Sequence, residues 1–326
     1  MILTGIPTGS TVITPGDTLE IEVDAPEQGL SSGTLTNSVV EGAGDFDESL
    51  GLMPEWNEKQ AADAYGSREK AGLPASAYAI SDELRAKLEA APTAGLSAQL
   101  RSRGLNQVVI EGVYPQCPGT KLVGPARTLR FLPEREDLFK SHGGGFNAQK
   151  KTFDTLESGE VVVIEARRSP ESGTLGDILA LRAKTRGAAG VVTDGGVRDS
   201  AAVAQIGLPV FCQSAHPAVL GRRHVPWDFD LAIACGNATV VPGDIIVGDD
   251  DGVIVIPRDL AEEVVDAALA KEHQDDWVFQ QAEAGGSLNG LFPPTGKNKE
   301  AYQAYLAEHP VEKGASAAKN DAGERG

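Results

Sequence analysis

Alternation of apolar and polar positions is clearest in "TVITPGDTLEIEVDA", where Pro15, Gly16 and Asp17 turn the chain ahead of Leu19, Ile21 and Val23. A period of two behind turn residues predicts extended structure, and no amphipathic helix follows to cover it. Between residues 41 and 80 the chain shifts to Gly, Ala, Ser, Asp and Glu with little apolar periodicity, which predicts a linker. In "SDELRAKLEAAPTAGLSAQLRSRG", Ser81 is a candidate N-cap and Leu84 and Leu88 recur at helical spacing. Pro92 then interrupts and Gly104 ends the run, so two helices are expected. Further on, "QVVIEG", "ARTLRFL", "EVVVIEA", "GVVTDGG", "DLAIACG" and "DIIVGDDDGVIVIP" have strand character, with helical windows at 146–157, 176–188 and 258–284. Strands that alternate with helices and then close in a strand-rich end predict an α/β domain with a mixed sheet. The chain divides on this pattern into 1–40, 41–80, 81–295 and 296–326, the last a helical extension that frays into disorder.

Charge narrows the partners. Among 326 residues, 47 are Asp or Glu against 29 Lys or Arg, a formal net charge of -18 that repels nucleic-acid backbones and anionic membrane surfaces. Cys117, Cys212 and Cys235 lie far apart without a C-x-x-C pair, so they are expected as reduced core thiols. No apolar run reaches the roughly 18 residues of a membrane span, and the N-terminus lacks a basic segment followed by an apolar one, so a soluble cytoplasmic protein is expected. "SHGGGFNAQKK" lacks the Gly-Lys-Ser/Thr ending of a phosphate loop and predicts a turn ahead of a helix. Asp249, Asp250 and Asp251 lack calcium-loop spacing and predict a tight turn between two strands; His216, before Pro217, is expected to shape a loop.

Candidate chemistry gathers in "GVVTDGGVRDS". A buried-looking strand runs into Gly195 and Gly196, which permit backbone angles closed to other residues and let a ligand approach the main chain. Arg198 offers a planar fork for a carboxylate, and Asp199 a hard oxygen for a divalent cation. In "SGTLGDILALRAKTRG", Gly173 and Gly176 precede a helix starting near Asp177, whose free N–H groups suit an anion. The plainer readings are Asp177 as a helix cap and Arg198 with Asp199 as a surface pair.

The segments "GDILALRAKTRGAAGVVTDGGVRDS" and "VVPGDIIVGDDDGVIVIP", followed by a long helix, resemble the RraA-like family, which includes 4-hydroxy-4-methyl-2-oxoglutarate aldolases and the regulator of ribonuclease E activity. The 22 positions from Gly176 to Arg198 match the family spacing, and the resemblance covers residues 81–295. It implies a three-layer β/β/α sandwich similar to a swivelling phosphohistidine domain, assembled as a homotrimer or homohexamer. It also implies a divalent cation, Mg2+ or Mn2+, and cleavage of a small 2-oxo acid with release of pyruvate, or decarboxylation of oxaloacetate. Carried over by position, Gly176, Asp177, Ile178 and Leu179 form the substrate loop, Arg198 contacts the oxo acid and Asp199 holds the metal. The proton acceptor is Asp177, acting through metal-bound water, or Glu272 reaching from a neighbouring subunit. A Schiff-base role for Lys184 stays open. Around residues 131–150, Arg135, Glu136 and His142 are candidates for contacts to the rest of the substrate. The rival expectation is a non-catalytic regulator that binds ribonuclease E or a helicase through its acidic surface; an inactive remnant is a third.

Residues 1–40, with "ILTGIPTGSTVITPGDTLEIEVDA" and "GTLTNSVV", resemble the C-terminal end of fumarylacetoacetate hydrolase family proteins. That family's metal-binding carboxylates lie upstream of this segment, so it is expected to be a truncated fusion or to follow a mis-set start. Thr4 and Gly5 fall in the family's substrate-proximal loop, where a structural role is expected.

Overall fold

The computed structural model describes residues 75–311 and, nearer the N-terminus, Gly16 and four short strands. The chain forms two compact units, Met1–Trp56 and Asn57–Gly326. In the first, β1 (Thr18–Ile21), β2 (Asp24–Ala25), β3 (Leu30–Ser31) and β4 (Leu35–Ser38) pair antiparallel, β1 with β4 and β2 with β3. Leu19 and Ile21 are extended as expected. Thr4, Gly5, Val23 and the linker before residue 75 lie outside the described residues.

The second unit opens with α1 (Asp82–Ala90) and α2 (Thr93–Ser102). Ser81 Oγ accepts from the Leu84 N–H at 3.1 Å, satisfying one of the free donors at the start of α1. Ala91 is extended because the ring of Pro92 disfavours helical angles in the residue before it. The next elements are β5 (Val109–Ile110), β6 (Tyr114–Pro115), β7 (Leu122–Pro133), α3 (Ala148–Asp154), β8 (Val161–Glu165) and β9 (Gly173–Leu175). α4 (Asp177–Thr185), β10 (Gly190–Val197), α5 (Ser200–Ile206), β11 (Val210–Ala215), β12 (His224–Phe229), β13 (Ile233–Cys235) and β14 (Ala238–Val240) come next. The chain then forms β15 (Ile245–Asp249), β16 (Gly252–Ile256), α6 (Ala261–Glu283) and α7 (Gly296–Glu308).

One mixed sheet runs in the order β5-β16-β15-β7-β8-β10-β11-β6, with β12 also on β7 and β9 also on β10. β7, β8, β10 and β11 are parallel; β5, β16, β15 and β7 are antiparallel, so long strand β7 joins two halves. A core made almost wholly of strand residues, including Ala126, Val163, Val192, Phe211, Ile246 and Val255, draws on both halves. Helices α3, α4 and α5 close a second core on the parallel half, and α1, α2 and α6 a third on the antiparallel half. The expected β/β/α sandwich names one helical layer; the described residues carry helices against both halves. Asp250 and Asp251 form the turn of the β15–β16 hairpin.

Several elements differ from expectation. α5 and β11 are short and carry no clear period in sequence. Of the cysteines, Cys235 is buried, Cys212 half-buried and Cys117 exposed, so only the first is a core thiol. α7 packs through Tyr302 on Trp277, Val278 and Leu291, which makes it part of the folded unit. Among the described residues no helix is long and apolar enough to cross a membrane.

The glycine pair also differs. Gly195 and Gly196 are buried strand residues, and neither has the positive φ that only glycine readily adopts. A Cβ on Gly195 would stand 2.7 Å from Ala166 Cβ and Thr174 Cγ2; one on Gly196, 2.8 Å from the carbonyl oxygens of Pro170 and Ser172. The close approach is thus made by the protein's own 166–172 segment, which crosses β10 before entering β9. Gly196→Ala should cost about 1–3 kcal/mol of stability through overpacking against backbone. The check is a lowered urea midpoint at unchanged slope.

Candidate active site

The crossing segment is fastened from below by Asp194, which is almost fully buried. Its carboxylate accepts N–H groups from Ala166 at 2.5 Å, Arg168 at 3.0 Å and Gly236 at 3.1 Å. Burial pushes the Asp194 carboxyl above its ordinary range, and these backbone donors pull it back. Arg167 and Arg168 both take left-handed angles, φ 59° and 53°, a strained pair held by those bonds. Arg167 in turn donates to His224 Nδ1 at 3.1 Å and to the Arg223 carbonyl at 2.9 Å.

After the crossing, β9 extends the sheet alongside the end of β10, with Gly196 opposite Gly173 and Val197 opposite Leu175. Arg198 folds its methylenes onto Gly173, in the space a Cβ would occupy. Its Nε is buried without a hydrogen-bond partner. Asp199 adopts φ 52° and ψ 37°, left-handed angles that aspartate tolerates better than most residues, and α5 begins directly after it. Its carboxylate makes no capping bond and is exposed. Asp199 Oδ2 would lie 3.2 Å from a Cβ on Gly176, which brings the two sequence-predicted segments together.

Gly176 is the N-cap of α4, so Asp177 is its first residue rather than its cap. Asp177 Oδ1 accepts the neighbouring Ile178 N–H at 2.8 Å, while Ile178 leaves its side chain 73% exposed and Leu179 packs partly against the α3–α4–α5 core. α4 thus starts beside the end of β10, where Gly176 faces Asp199 and the Leu175 carbonyl accepts the Arg198 N–H at 2.8 Å. The surface-pair reading fails, since Arg198 and Asp199 form no ion pair. Lys184 donates to the Ile206 carbonyl and ties α4 to α5.

Other candidates are not brought to this place. Glu272 lies on α6 over the antiparallel half, where its Oε1 would be 2.8 Å from a Cβ on Gly95 of α2. Arg135 pairs with Asp137 at the surface, and His142 stacks on Trp227 with ring centroids 4.6 Å apart. Glu136 lines a separate open cavity of about 520 Å³ with Glu134, Arg167, Glu171, Arg222 and Arg223. Sequence reading passed over Asp194; a lone Asp inside an apolar strand was the available signal.

The residues at Asp199 accommodate a hard cation only in a particular way. Among the described residues no group of three or more His, Cys, Asp or Glu side chains could hold a metal. A cation at Asp199 would therefore have fewer than three such protein ligands and take its other positions from water and ligand, a mode that suits magnesium, which keeps several waters.

A mixed sheet with helices packed on it, whose parallel strand ends carry Arg198, an exposed Asp199 and the start of α4, defines an α/β protein. The chain belongs to the RraA-like family (Aldolase/RraA), whose model matches residues 80–255. Over 164 residues, half of this chain and 73% of the relative, it is 33% identical to a Halalkalibacterium halodurans protein provisionally named 4-hydroxy-4-methyl-2-oxoglutarate aldolase. It is 29% identical over 213 residues to Protein DlpA of Legionella pneumophila, spanning 64% of this chain but 32% of that protein. Among solved structures, Streptomyces coelicolor RraAS2, described as an unusual member of the RNase ES inhibitor RraA protein family, is 34% identical with a TM-score of 0.56. That match covers 61% of this chain and 96% of RraAS2.

His224, fully buried beside the crossing segment, supplies a pH test. Burial first, then the Arg167 charge, lower its pKa to about 4, below the ordinary value near 6.5. Because the folded pKa is the depressed one, the neutral ring's contribution is complete above about pH 6.5 and is lost as pH falls through about 4; it amounts to about 3 kcal/mol. Urea midpoints at pH 7 and pH 4.5 should therefore diverge more in the wild type than in His224→Phe.

Proposed function

We propose that the chain is a carbon–carbon lyase acting on a small 2-oxo acid, by aldol cleavage that releases pyruvate or by decarboxylation of oxaloacetate. The carrying observation is Arg198, seated on Gly173 with a buried, unpartnered Nε, next to an exposed Asp199 carboxylate facing Gly176. Aldolase-named relatives at 33% identity support a lyase at family level.

Both reactions leave an enolate, so negative charge grows on the former keto oxygen. Arg198 binds and orients the oxo-acid end through its planar fork, and its burial strengthens that contact. The loop Gly176, Asp177, Ile178 and Leu179 at the start of α4 would add backbone donors other than the Ile178 N–H, which Asp177 takes. A divalent cation, magnesium or manganese, at Asp199 would supply Lewis-acid stabilisation of the enolate charge. Asp177, at the first position of α4, is the first proton acceptor we propose. Glu272 of a neighbouring subunit, in a trimer or hexamer, is the second acceptor we propose. Lys184, committed to a carbonyl, has no role in this scheme.

A second reading, a regulator of a ribonuclease, is favoured by the likeness to RraAS2. The two separate by experiment. Pyruvate release from oxaloacetate and 4-hydroxy-4-methyl-2-oxoglutarate should require Mg2+ or Mn2+, stop with EDTA, and fall at least ~100-fold in Arg198→Ala and Asp199→Ala. Undiminished turnover in both variants would remove Arg198 and Asp199 from the proposed site. Absence of turnover on any 2-oxo acid, together with capture of ribonuclease E, would favour the regulator.

A further inference from the structure

Arg198 has a neighbour on the side away from Gly173. β10 and β11 are parallel with Gly196 opposite Ser214 and Val197 opposite Ala215, and the His216 N–H continues the ladder to the Val197 carbonyl at 2.9 Å. Laterally paired residues share a sheet face, so continuing this register by one residue sets His216 beside Arg198, on the face of Gly196 that the 166–172 segment crosses. The packing agrees: a Cβ on Gly196 would stand 3.2 Å from His216 Cβ. The turn after β11 closes the arrangement, because the Ala218 carbonyl accepts the Gly173 N–H at 2.9 Å. Gly173, Arg198 and His216 are therefore drawn together by backbone bonds.

The imidazole has a defined proton position. The Ala218 N–H donates to His216 Nδ1 at 3.1 Å, so Nδ1 carries the lone pair and the proton of the neutral ring is on Nε2. Nε2 makes no hydrogen bond among the described residues, and the ring is half-buried. The turn in front of Pro217 thus leaves a neutral N–H donor with nothing to donate to. Shaping that turn takes one ring nitrogen and leaves the other unused.

We infer that His216 is a substrate-binding residue whose Nε2–H donates to the oxo acid held by Arg198, adding a neutral donor where enolate charge develops. The inference rests on reading Arg198 as the oxo-acid contact. A neutral donor fits here because a second cation would repel the guanidinium, whereas an N–H dipole strengthens as charge grows on the oxygen.

The test uses the full chain with MgCl2 and oxalate, a planar mimic of the pyruvate enolate. Long-range 1H–15N spectra of the histidine side chains, with His216 assigned by its loss in His216→Asn, should show the Nε2-protonated form and a saturable shift on adding oxalate. That shift should vanish in Arg198→Ala. His216→Ala should lower kcat ~100-fold with KM within about threefold. His216→Asn, whose amide can accept from Ala218 and still donate, should recover to within about tenfold of wild type. A proton on Nδ1, a His216 signal unmoved while other signals saturate with oxalate, or an unchanged kcat in His216→Ala would overturn the assignment and leave the lyase reading standing. Failure of any signal to saturate with oxalate would overturn the reading of Arg198 and the inference with it.

Discussion

The candidate site depends on one steric fact, the passage of the 166–172 segment across bare backbone at Gly195 and Gly196. Main-chain carbonyls of Pro170 and Ser172 come so close to Gly196 that no side chain fits between. That passage sets the height at which β9 enters the sheet, and β9 sets the rest. Gly173 arrives opposite Gly196, leaving room for the arginine two residues on. Gly176 arrives under Asp199. Asp194 fixes the near end of the same segment, and its three backbone donors explain why a carboxylate is tolerated in a buried strand: each removes part of the desolvation cost that raises its pKa.

Much of this was legible in the chain. The helix pair around Pro92, the β15–β16 hairpin and the buried β10 follow from local rules of capping, turn chemistry and apolar run length, which act over a few residues and leave visible patterns. The grouping of Gly176, Arg198 and Asp199 was legible through the resemblance to the RraA-like family, whose glycine-to-arginine spacing they match. What was not legible is long-range. The glycine pair looked like a ligand-contact device, since a sequence cannot say whether the atom approaching a bare backbone belongs to a ligand or to residue 170. β11, with Gln213 and Ser214 at its core, carries too little alternation to declare itself, so His216 had no register and looked like a loop former. Glu272 stood on a real helix, but whether one face of α6 meets α2 or the site is decided by packing that periodicity does not encode.

The two halves of the sheet divide the labour. The antiparallel half and its helices bury Leu88, Leu96, Ile245 and Ile254 in a tightly filled core, with Glu272 facing a helix backbone there. The parallel half ends in loops whose backbone dipoles and glycines suit a small anion. A lyase here has to bring a proton acceptor to the parallel half or borrow one. Asp177 is already there, though one of its oxygens is taken by the Ile178 N–H. Glu272 of the same chain is held by the other half.

The combination of one arginine, one unpaired carboxylate and one neutral imidazole has a chemical logic beyond proximity. A site built from two or three carboxylates would bind a cation tightly and repel the oxo-acid anion. A site built from arginines alone would hold the anion in its ground state as firmly as in the transition state, which lowers KM without raising kcat. In the proposed site a cation on Asp199 would keep open positions for ligand oxygen. With one guanidinium the carboxylate end is oriented without neutralising the electron-rich carbon skeleton. A neutral N–H then responds to charge only as it develops, which is the property an enolate-forming reaction selects for.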